Sequence, residues 1–242
     1  MNKNILVTGV SKGLGYQIAQ QILESGNSVW GISRSKSQNI EILLEKYPQS
    51  FHWKSYDLAD VENINREIFK NFITFDVKLH GFVNNAAIAY DDIVTNIQIV
   101  PLEKMYKVNV FSPMIITKYA IRNMLLHRVK GSIVHISSIS VHTGYKGLSM
   151  YASSKGALEA FSKNTAREWG SRGIRSNCLV AGFMETEMSA SLSDDQKNRI
   201  YKRTSLKQPT TMKSVASTVA FLLSDGSESI TGQNIHVDSG TI

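Results

Sequence analysis

Short apolar runs rich in β-branched residues alternate along the chain with longer stretches in which apolar residues recur every three or four positions. Runs of the first kind predict buried strands, and stretches of the second kind predict amphipathic helices. Alternation of strands and helices predicts an α/β fold, in which helices cover both faces of a parallel sheet. The crossover connections should then be right-handed.

Seven strands and six helices are predicted from this pattern. The strands correspond to the segments KNILVTG, NSVWGISRS, FHWKSYDL, LHGFVNNAA, KGSIVHISS, GIRSNCLVAG and QNIHVD. The helices correspond to GLGYQIAQQILES, residues 39–47, VENINREIFKNFI, much of 101–127, residues 151–169 and residues 213–224. The polar segment 183–212 reads as irregular, and we expect it to be a lid over a functional site.

The bulk composition fits one globular domain spanning residues 1–242. Of the 242 residues, 42% are hydrophobic and 19% are charged, and α/β folds of this length often form a single domain. The one cysteine, Cys178, lies in a predicted buried strand and is interpreted as a small core residue. No signal peptide is visible, and no apolar run approaches the roughly 20 residues that cross a bilayer. We therefore expect a cytoplasmic protein with no membrane partner.

The chain carries a formal charge of +7, from 27 Lys and Arg against 20 Asp and Glu. Such an excess serves solubility, or it indicates an acidic partner or a phosphate-rich cofactor. The basic residues are scattered and no aromatic-basic motif accompanies them, so we do not expect a nucleic-acid partner. The six histidines show no metal-ligand spacing, and we expect no metal site.

A glycine-rich turn, TGVSKGLG, joins the first predicted strand to the first helix and contains Gly9, Gly13 and Gly15. Glycines permit positive φ and close backbone approach, and a helix N-terminus offers N–H groups to a pyrophosphate. The spacing is GxxxGxG, which is neither GxGxxG nor a P-loop, and a plain tight turn is the alternative interpretation. The position after the first strand favours a dinucleotide site.

The end of the second predicted strand indicates which dinucleotide would bind. An acidic residue there would bind the ribose 2′-hydroxyl of NAD, but this chain has Arg34, with Lys12 in the glycine turn. Two cations near that position favour a 2′-phosphate, and hence NADP(H) over NAD(H). The alternative is a pair of solvated surface cations.

Further motifs follow the glycine turn in order along the chain. They are Asp57 and Leu58 after the third strand, NNAA at 84–87, Asn109 in KVNVFSP, Ser138 in HISS, Tyr151 and Lys155 in YASSK, NCLVAGFMETEM, and ITGQNIHVDSG. This series resembles the short-chain dehydrogenase/reductase family over nearly the whole chain. The resemblance implies a single-domain, Rossmann-type, doubly wound parallel sheet of about seven strands. Ala87 and Ala181 depart from the family pattern, in place of a glycine and a proline.

The resemblance also implies a set of residues that bind NADP(H). They are Gly9, Ser11, Lys12, Gly13, Leu14, Gly15, Arg34, Asp57, Leu58, Asn85, Ala86, Tyr151, Lys155, Gly182, Met184 and Thr186.

Asn109, Ser138, Tyr151 and Lys155 match the catalytic positions of the family. Reduction of a carbonyl needs a hydride at carbon and a proton at oxygen, and Tyr151 would donate the proton. Lowering the tyrosine pKa from near 10 to about 7 needs roughly 4 kcal/mol, to which a charged Lys155 would contribute. Ser138 would hydrogen-bond the carbonyl, whereas Ser137 would point the opposite way on an extended strand.

Asn109, in the resemblance, would hold a water that passes protons to Lys155. Taken singly, each of the four residues has a structural alternative: an amphipathic tyrosine at a helix start, a lysine that reaches solvent, a helix cap, or an ordinary loop serine. The alternatives together require four coincidences at the family spacing.

Within the family, the chain resembles the 3-oxoacyl-[acyl carrier protein] reductases, in GFMETEMSASLSDDQ and AFLLSDGSESITGQNIHVDSG. The resemblance implies a 3-oxoacyl thioester substrate on an acyl carrier protein. Acyl carrier proteins are acidic, and Arg172, with Arg128 and Lys130, would receive one beside the active-site mouth. Scattered surface cations are the alternative.

Two other functions stay open on the sequence. One is reduction of a sugar or small-molecule ketone, or oxidation of an alcohol, in a specialised pathway. The other is a regulator that binds NADP(H) without turnover, against which the intact set of four residues argues. The family resemblance also implies a homotetramer.

Overall fold

Seven parallel strands form one sheet in the part of the chain that the computed structural model describes, residues 2–185 and 193–241. They are β1 (Asn4–Thr8), β2 (Ser28–Ser33), β3 (Phe51–Ser55), β4 (Leu79–Asn84), β5 (Ser132–Ser138), β6 (Arg175–Ala181) and β7 (Asn234–Val237). Their order across the sheet is β3-β2-β1-β4-β5-β6-β7, and every neighbouring pair is parallel. The predicted fold class is confirmed.

Nine α-helices connect or follow the strands in the described residues. They are α1 (Gly13–Glu24), α2 (Gln38–Lys46), α3 (Ile64–Phe69), α4 (Ile99–Tyr106), α5 (Ser112–Leu126), α6 (Ser140–Thr143), α7 (Ser149–Trp169), α8 (Asp194–Arg203) and α9 (Met212–Leu223). Short 3₁₀ turns lie at Val94–Asn96, Gly170–Arg172 and Asp225–Ser227. None of the described helices has both the length and the apolar character to traverse a lipid bilayer.

Both faces of the sheet are buried. Successive side chains of a strand point to opposite sides, and on each side they pack against helices. On β1, Ile5 and Val7 pack into a cluster with apolar residues of α1 and α9. Leu6 belongs to the opposite cluster, which contains apolar residues of α3 and α5. Each such side chain, when fully buried, contributes on the order of 1.5–3 kcal/mol. The core therefore holds the sheet between two helical layers.

The predicted helix within 101–127 is a helical segment that runs without a break from Ile99 to Leu126 and contains a π-helical turn. The turn covers Lys107–Phe111 and joins α4 to α5. π turns inside α-helices are rare and occur frequently at functional sites. Asn109 lies in the middle of this turn and is buried.

The prediction that 183–212 is irregular is wrong for residues 194–203, which form α8. The helix begins with a capping box, in which Ser193 Oγ accepts from Gln196 N and Gln196 Oε1 accepts from Ser193 N. No side chain of α8 is buried. It therefore lacks the apolar stripe from which the other helices are predicted. The capping motif SDDQ at 193–196 is the feature of the sequence that indicates the start of this helix.

The carboxyl ends of all seven strands lie at one edge of the sheet. The chain runs outward in opposite directions from β1 and β4, which are neighbours in the centre. In open α/β sheets the crevice at such a switch point is the usual ligand site. The fold therefore places the loops after β1, β4 and β5 around one crevice.

Candidate active site

A cavity of about 710 Å³ opens at the carboxyl edge of the sheet. Most of the predicted site residues line it, although they come from loops far apart in sequence. These are Gly9, Ser11, Lys12, Gly13, Leu14, Gly15, Arg34, Asp57, Leu58, Asn85, Ala86, Ser138, Tyr151, Lys155, Gly182 and Met184. Thr186 lies outside the described residues. The cavity runs from the glycine turn to the start of α7.

The glycine turn has the geometry of a phosphate cradle. Gly9 and Gly13 have φ of +79° and +56°, a region that favours glycine. A Cβ at Gly15 would stand 2.0 Å from the Gly9 carbonyl oxygen, whereas one at Gly13 would meet no atom within 4 Å. The turn is thus tightly packed on its inner side and open towards the cavity. Helix α1 begins at Gly13 in this turn, and the N–H groups of its first turn can bind an anionic pyrophosphate.

Asn85 holds the glycine turn against the loop that follows β4. Its side-chain amide donates to the carbonyl oxygens of Thr8 and Gly9, at 3.1 and 3.3 Å. In return, Thr8 Oγ1 accepts from the backbone N–H groups of Asn85 and Ala86, both at 3.2 Å. Thr8 is fully buried, and no motif in the sequence predicts this role for it. These four bonds fix the floor of the cavity.

Arg34 and Asp57 follow the ends of β2 and β3, next to the glycine turn. Arg34 is exposed, and its carbonyl oxygen accepts from Ser55 Oγ at 2.7 Å, which joins the two strand ends. Asp57 Oδ1 accepts from Ala59 N at 2.9 Å. Leu58 is buried and belongs to the core. This end of the cavity is positively charged at Arg34 and Lys12, so it suits a phosphorylated ribose.

Gly182 and Met184 line the opposite end of the cavity, after β6. A Cβ at Gly182 would lie 2.4 Å from Thr210 Oγ1 and 2.5 Å from the Asp238 Cα, so a larger residue would displace backbone. The preceding residue, Ala181, pairs with Ser138 on one side and Val237 on the other. Strand β6 therefore continues to the edge of the cavity without the proline that the family pattern has there.

Ala87 is tolerated in place of the family glycine because the backbone at this position does not have the positive φ that favours glycine. The non-glycine residues with positive φ in residues 2–185 and 193–241 are Arg128, Lys207 and Ser239. Ala87 lines the cavity in an ordinary conformation.

Tyr151 and Lys155 lie one turn apart on α7, with the Lys155 Nζ 5.7 Å from the centroid of the Tyr151 ring. Lys155 is 2% exposed, and its Nζ donates to the Ile136 carbonyl oxygen at 2.8 Å. Burial lowers the pKa of Lys155 to about 8. The lysine is thus held in position by β5, where it can act on the tyrosine side of the cavity.

The protein alone does not lower the pKa of Tyr151, contrary to the expectation from the sequence. Burial, and then the negative charge of Asp91, raise the pKa of Tyr151 to about 12. The side chain is therefore protonated at neutral pH, as a proton donor must be. Asp91, on the loop after β4, lines the same cavity, and burial raises the pKa of its own carboxyl. No motif in the sequence indicates a role for Asp91.

Ser138 ends β5 at the cavity, and its neighbour Ser137 points its hydroxyl to a buried carboxylate. Ser137 Oγ donates to Glu159 Oε1 at 2.5 Å, whereas Ser138 Oγ accepts from Ser140. The two hydroxyls therefore have separate surroundings, as expected for consecutive residues of a strand.

Asn109 does not line the cavity. Its side chain joins the π turn to the loop after β4, where Oδ1 accepts from Ile88 N and Nδ2 donates to Ile88 O, both at 2.9 Å. The same Nδ2 donates to Ser154 Oγ on α7 at 3.0 Å. Because both amide hydrogens are already used, Asn109 Nδ2 has no hydrogen left to donate to a relay water.

The three predicted carrier-protein contacts lie at the opposite edge of the sheet from the cavity. Arg128 and Lys130 precede the first residue of β5, and Arg172 precedes β6. Ser138 stands at the other end of β5, roughly 20 Å away at 3.3 Å per residue. Within one chain, therefore, the prediction that these cations lie beside the active-site mouth is wrong.

Lys104 and Lys146 are the lysines that line the cavity besides Lys12 and Lys155.

Comparison with known proteins gives relatives of nearly equal length. A family model described as enoyl-(acyl carrier protein) reductase matches residues 9–241. A 3-oxoacyl-[acyl-carrier-protein] reductase FabG from Chlamydia trachomatis is 33% identical over 99% of this chain and 97% of its own. Its counterpart from Salmonella typhimurium is 34% identical over 98% and 96%. An L-xylulose reductase from Caenorhabditis elegans is 31% identical over 99% and 95%.

A solved structure described as ElxO with NADP bound has the same fold. It covers 100% of this chain and 99% of its own, with a TM-score of 0.90 and 29% identity. The fold, the family model and the full-length relatives agree that this chain belongs to the short-chain dehydrogenase/reductase family of nicotinamide-dependent oxidoreductases.

Proposed function

We propose that this protein is an NADPH-dependent carbonyl reductase whose substrate is a 3-oxoacyl thioester on an acyl carrier protein. The observation that carries the proposal is the convergence of Ser138, Tyr151 and Lys155 on one cavity with the glycine turn. The product would be the 3-hydroxyacyl thioester. Curated relatives named for this reaction support the choice of substrate.

The residues of the cavity divide the chemistry among them. A bound nicotinamide cofactor supplies the hydride for the carbonyl carbon. The Tyr151 hydroxyl donates its proton to the carbonyl oxygen, so that a ketone gains two hydrogens and becomes an alcohol. The Ser138 hydroxyl donates a hydrogen bond to the same oxygen and stabilises the charge that develops there.

Lys155 restores the tyrosine for the next turnover. Its lowered pKa allows it to give up a proton near neutral pH, and its bond to Ile136 keeps the ammonium beside the Tyr151 ring. The hydrogens that Ile136 does not use suit the ribose hydroxyls of the cofactor. Asn109 sets the distance between the π turn, the loop after β4 and α7, and it thereby shapes this side of the cavity.

NADP(H), rather than NAD(H), is the cofactor that we propose. Arg34 and Lys12 line the cavity where the adenosine ribose would lie, and a carboxylate suited to a free 2′-hydroxyl is replaced there by Arg34. The structural relative with bound NADP supports this choice. The cradle formed by Gly13 and the start of α1 would hold the pyrophosphate.

Lys104 and Lys146 support a substrate that carries negative charge. Both are exposed at the cavity, and neither forms an ion pair with any residue in 2–185 or 193–241. Acyl carrier proteins are acidic, and the two lysines would meet the carrier surface at the mouth.

A sugar or small polar ketone is the second candidate substrate. Asp91 favours it, because a carboxylate near Tyr151 can accept hydrogen bonds from substrate hydroxyls. The L-xylulose reductase among the relatives supports it as well. For either substrate, segment 183–212, of which 186–192 lie outside the described residues, would act as the lid, since Ile200 of α8 lines the cavity.

We also propose a homotetramer. Ile99, Val100 and Phe111 on the α4–α5 segment are large apolar side chains exposed in the single chain, and an interface between subunits would bury them. Light scattering of the purified protein would measure the assembly.

Turnover of NADPH, followed by its absorbance, tests the proposed reaction. The substrates are a 3-oxoacyl carrier protein, the matching short thioester, L-xylulose and a diketone. We expect the carrier-bound substrate to give the highest kcat/KM, and Tyr151→Phe to abolish turnover. A higher kcat/KM for the sugar would support the second candidate. An absence of turnover on every substrate would leave the non-catalytic regulator.

A further inference from the structure

Ser138 receives two hydrogen bonds from one neighbour, Ser140, at the start of helix α6. The backbone N–H of Ser140 donates to Ser138 Oγ at 3.2 Å, and the Ser140 hydroxyl donates to the same oxygen at 3.0 Å. Ser140 is 4% exposed and also lines the cavity. Its hydroxyl is therefore close to the reacting region but directed at Ser138.

These two bonds decide what the Ser138 hydroxyl can do. A serine hydroxyl has two acceptor lone pairs and one hydrogen, and it rotates to suit its partners. With both lone pairs occupied by Ser140, the hydrogen remains as the part of the hydroxyl that can bond a substrate. Ser138 is thus oriented as a donor, which is the role that stabilises negative charge on a carbonyl oxygen.

The turn that carries Ser140 is itself held by a buried carboxylate on α7. Glu159, one helical turn beyond Lys155, accepts from Ser137 Oγ at 2.5 Å and bonds His142 Nε2 at 3.1 Å. It also accepts from Asn234 Nδ2 on β7 at 2.6 Å. One carboxylate therefore joins the end of β5, helix α6 and β7, and it fixes Ser140 relative to Ser138.

We infer that Ser140 is a positioning residue that sets Ser138 as a hydrogen-bond donor to the substrate carbonyl, in a turn anchored by Glu159. The inference rests on the proposed carbonyl reduction, because it assigns a purpose to the Ser138 hydroxyl. It adds a residue to the site that neither the glycine turn nor the tyrosine–lysine pair predicts.

The test is Ser140→Ala, which removes the hydroxyl and keeps the backbone N–H. We expect kcat to fall by about five- to thirty-fold, the loss that corresponds to one hydrogen bond to a reacting group. KM, the Kd for NADPH and the thermal unfolding midpoint should stay near those of the wild type. Ser140→Thr, which restores the donor, should recover most of the lost kcat.

Two further variants separate orientation of Ser138 from support of α6. Thr143→Ala removes a hydroxyl from the same helix, where it bonds the Ile139 carbonyl oxygen, and it should leave kcat unchanged. In a Ser138→Ala background, Ser140→Ala should have no further effect on kcat, because Ser140 acts through Ser138.

The outcomes distinguish this inference from the proposed function. Wild-type turnover with an unchanged kcat for Ser140→Ala would overturn the inference alone. Equal losses in Ser140→Ala and Thr143→Ala, or independent losses in the double variant, would also overturn it. A wild type without turnover on any ketone would overturn both.

Discussion

The ammonium of Lys155 donates to the carbonyl oxygen of Ile136 over 2.8 Å, so that a buried charge on α7 is attached to the middle of β5. No ion pair with Lys155 occurs in residues 2–185 and 193–241. Burial therefore lowers its pKa to about 8 without opposition from a carboxylate in that part of the chain. Because the charged form exists below that pKa, the site is sensitive to pH just above neutrality.

Reduction should follow the protonation of Lys155. We expect kcat/KM to be constant from about pH 6 to 7.5 and to fall above about 8, as Lys155 loses its charge while Tyr151, with a pKa near 12, stays protonated. Steady-state rates across this range would measure it. A profile that rises through pH 8 would contradict the assignment.

Replacement of Tyr151 by Phe should remove the proton donor and little else. We expect kcat to fall by about 10²- to 10⁴-fold, with circular dichroism and the Kd for NADPH near those of the wild type. Tyr106→Phe is the matched control, because it removes a hydroxyl that bonds Ser153 Oγ at 2.9 Å outside the cavity. Substantial turnover by Tyr151→Phe would remove that residue from the acid role.

Arg34→Glu should reverse the cofactor preference. A carboxylate there would repel a 2′-phosphate and accept a bond from a 2′-hydroxyl, so the Kd for NADPH should rise by about tenfold or more while that for NADH falls. Lys36→Glu is the control, because Lys36 is an exposed cation close in sequence that does not line the cavity. Fluorescence titration with both cofactors gives the ratio. An unaltered ratio in Arg34→Glu would exclude Arg34 from the phosphate site.

Charge at the mouth should matter only for a charged substrate. In the double variant Lys104→Ala and Lys146→Ala, we expect kcat/KM for a 3-oxoacyl carrier protein to fall about tenfold at low salt and to lose most of its salt dependence. An uncharged diketone should react as with the wild type. Lys70→Ala, an exposed lysine away from the cavity, is the control. Equal losses on both substrates would contradict a docking role.

His135 should make the protein sensitive to acid. Its ring is fully buried between Phe82 and Phe161, and neither ring nitrogen has a hydrogen-bond partner in the described residues. Burial lowers its pKa to about 3. Below about pH 6.5 this histidine takes up a proton in the unfolded chain but not in the folded chain. The free energy of unfolding therefore decreases as the pH is lowered from about 6.5 towards 3.

His135→Leu tests this effect on stability. The substitution should remove a destabilisation that reaches about 2 kcal/mol at pH 5 relative to pH 7.5. Urea unfolding at the two pH values would measure it. An equal pH dependence in wild type and variant would show that other groups cause the acid sensitivity.

Much of the site could be predicted from the sequence, because parallel strands bring their carboxyl ends to one edge. Gly9, Arg34, Asp57 and Ser138 each follow or end a strand, so knowledge of the strands was enough to group them. Asp91 and Ser140 were missed because their relation to Tyr151 and Ser138 depends on how two loops fold back. The three cations at 128, 130 and 172 were placed wrongly because a positive charge in the sequence does not indicate where the side chain lies relative to the site. Their positions before the first residues of β5 and β6 put them at the amino ends of those strands, away from the cavity.

The π turn between α4 and α5 constrains how this chain can vary in length. A π turn holds one residue more than an α turn, and each α-helical residue advances the helix by 100°. Deletion of one residue from Lys107–Phe111 would therefore rotate Ile116, Ala120 and Met124 away from the sheet, or else displace Asn109 from Ile88. The segment resembles an ordinary surface helix in sequence, yet its residue count is as fixed as that of a strand in the core.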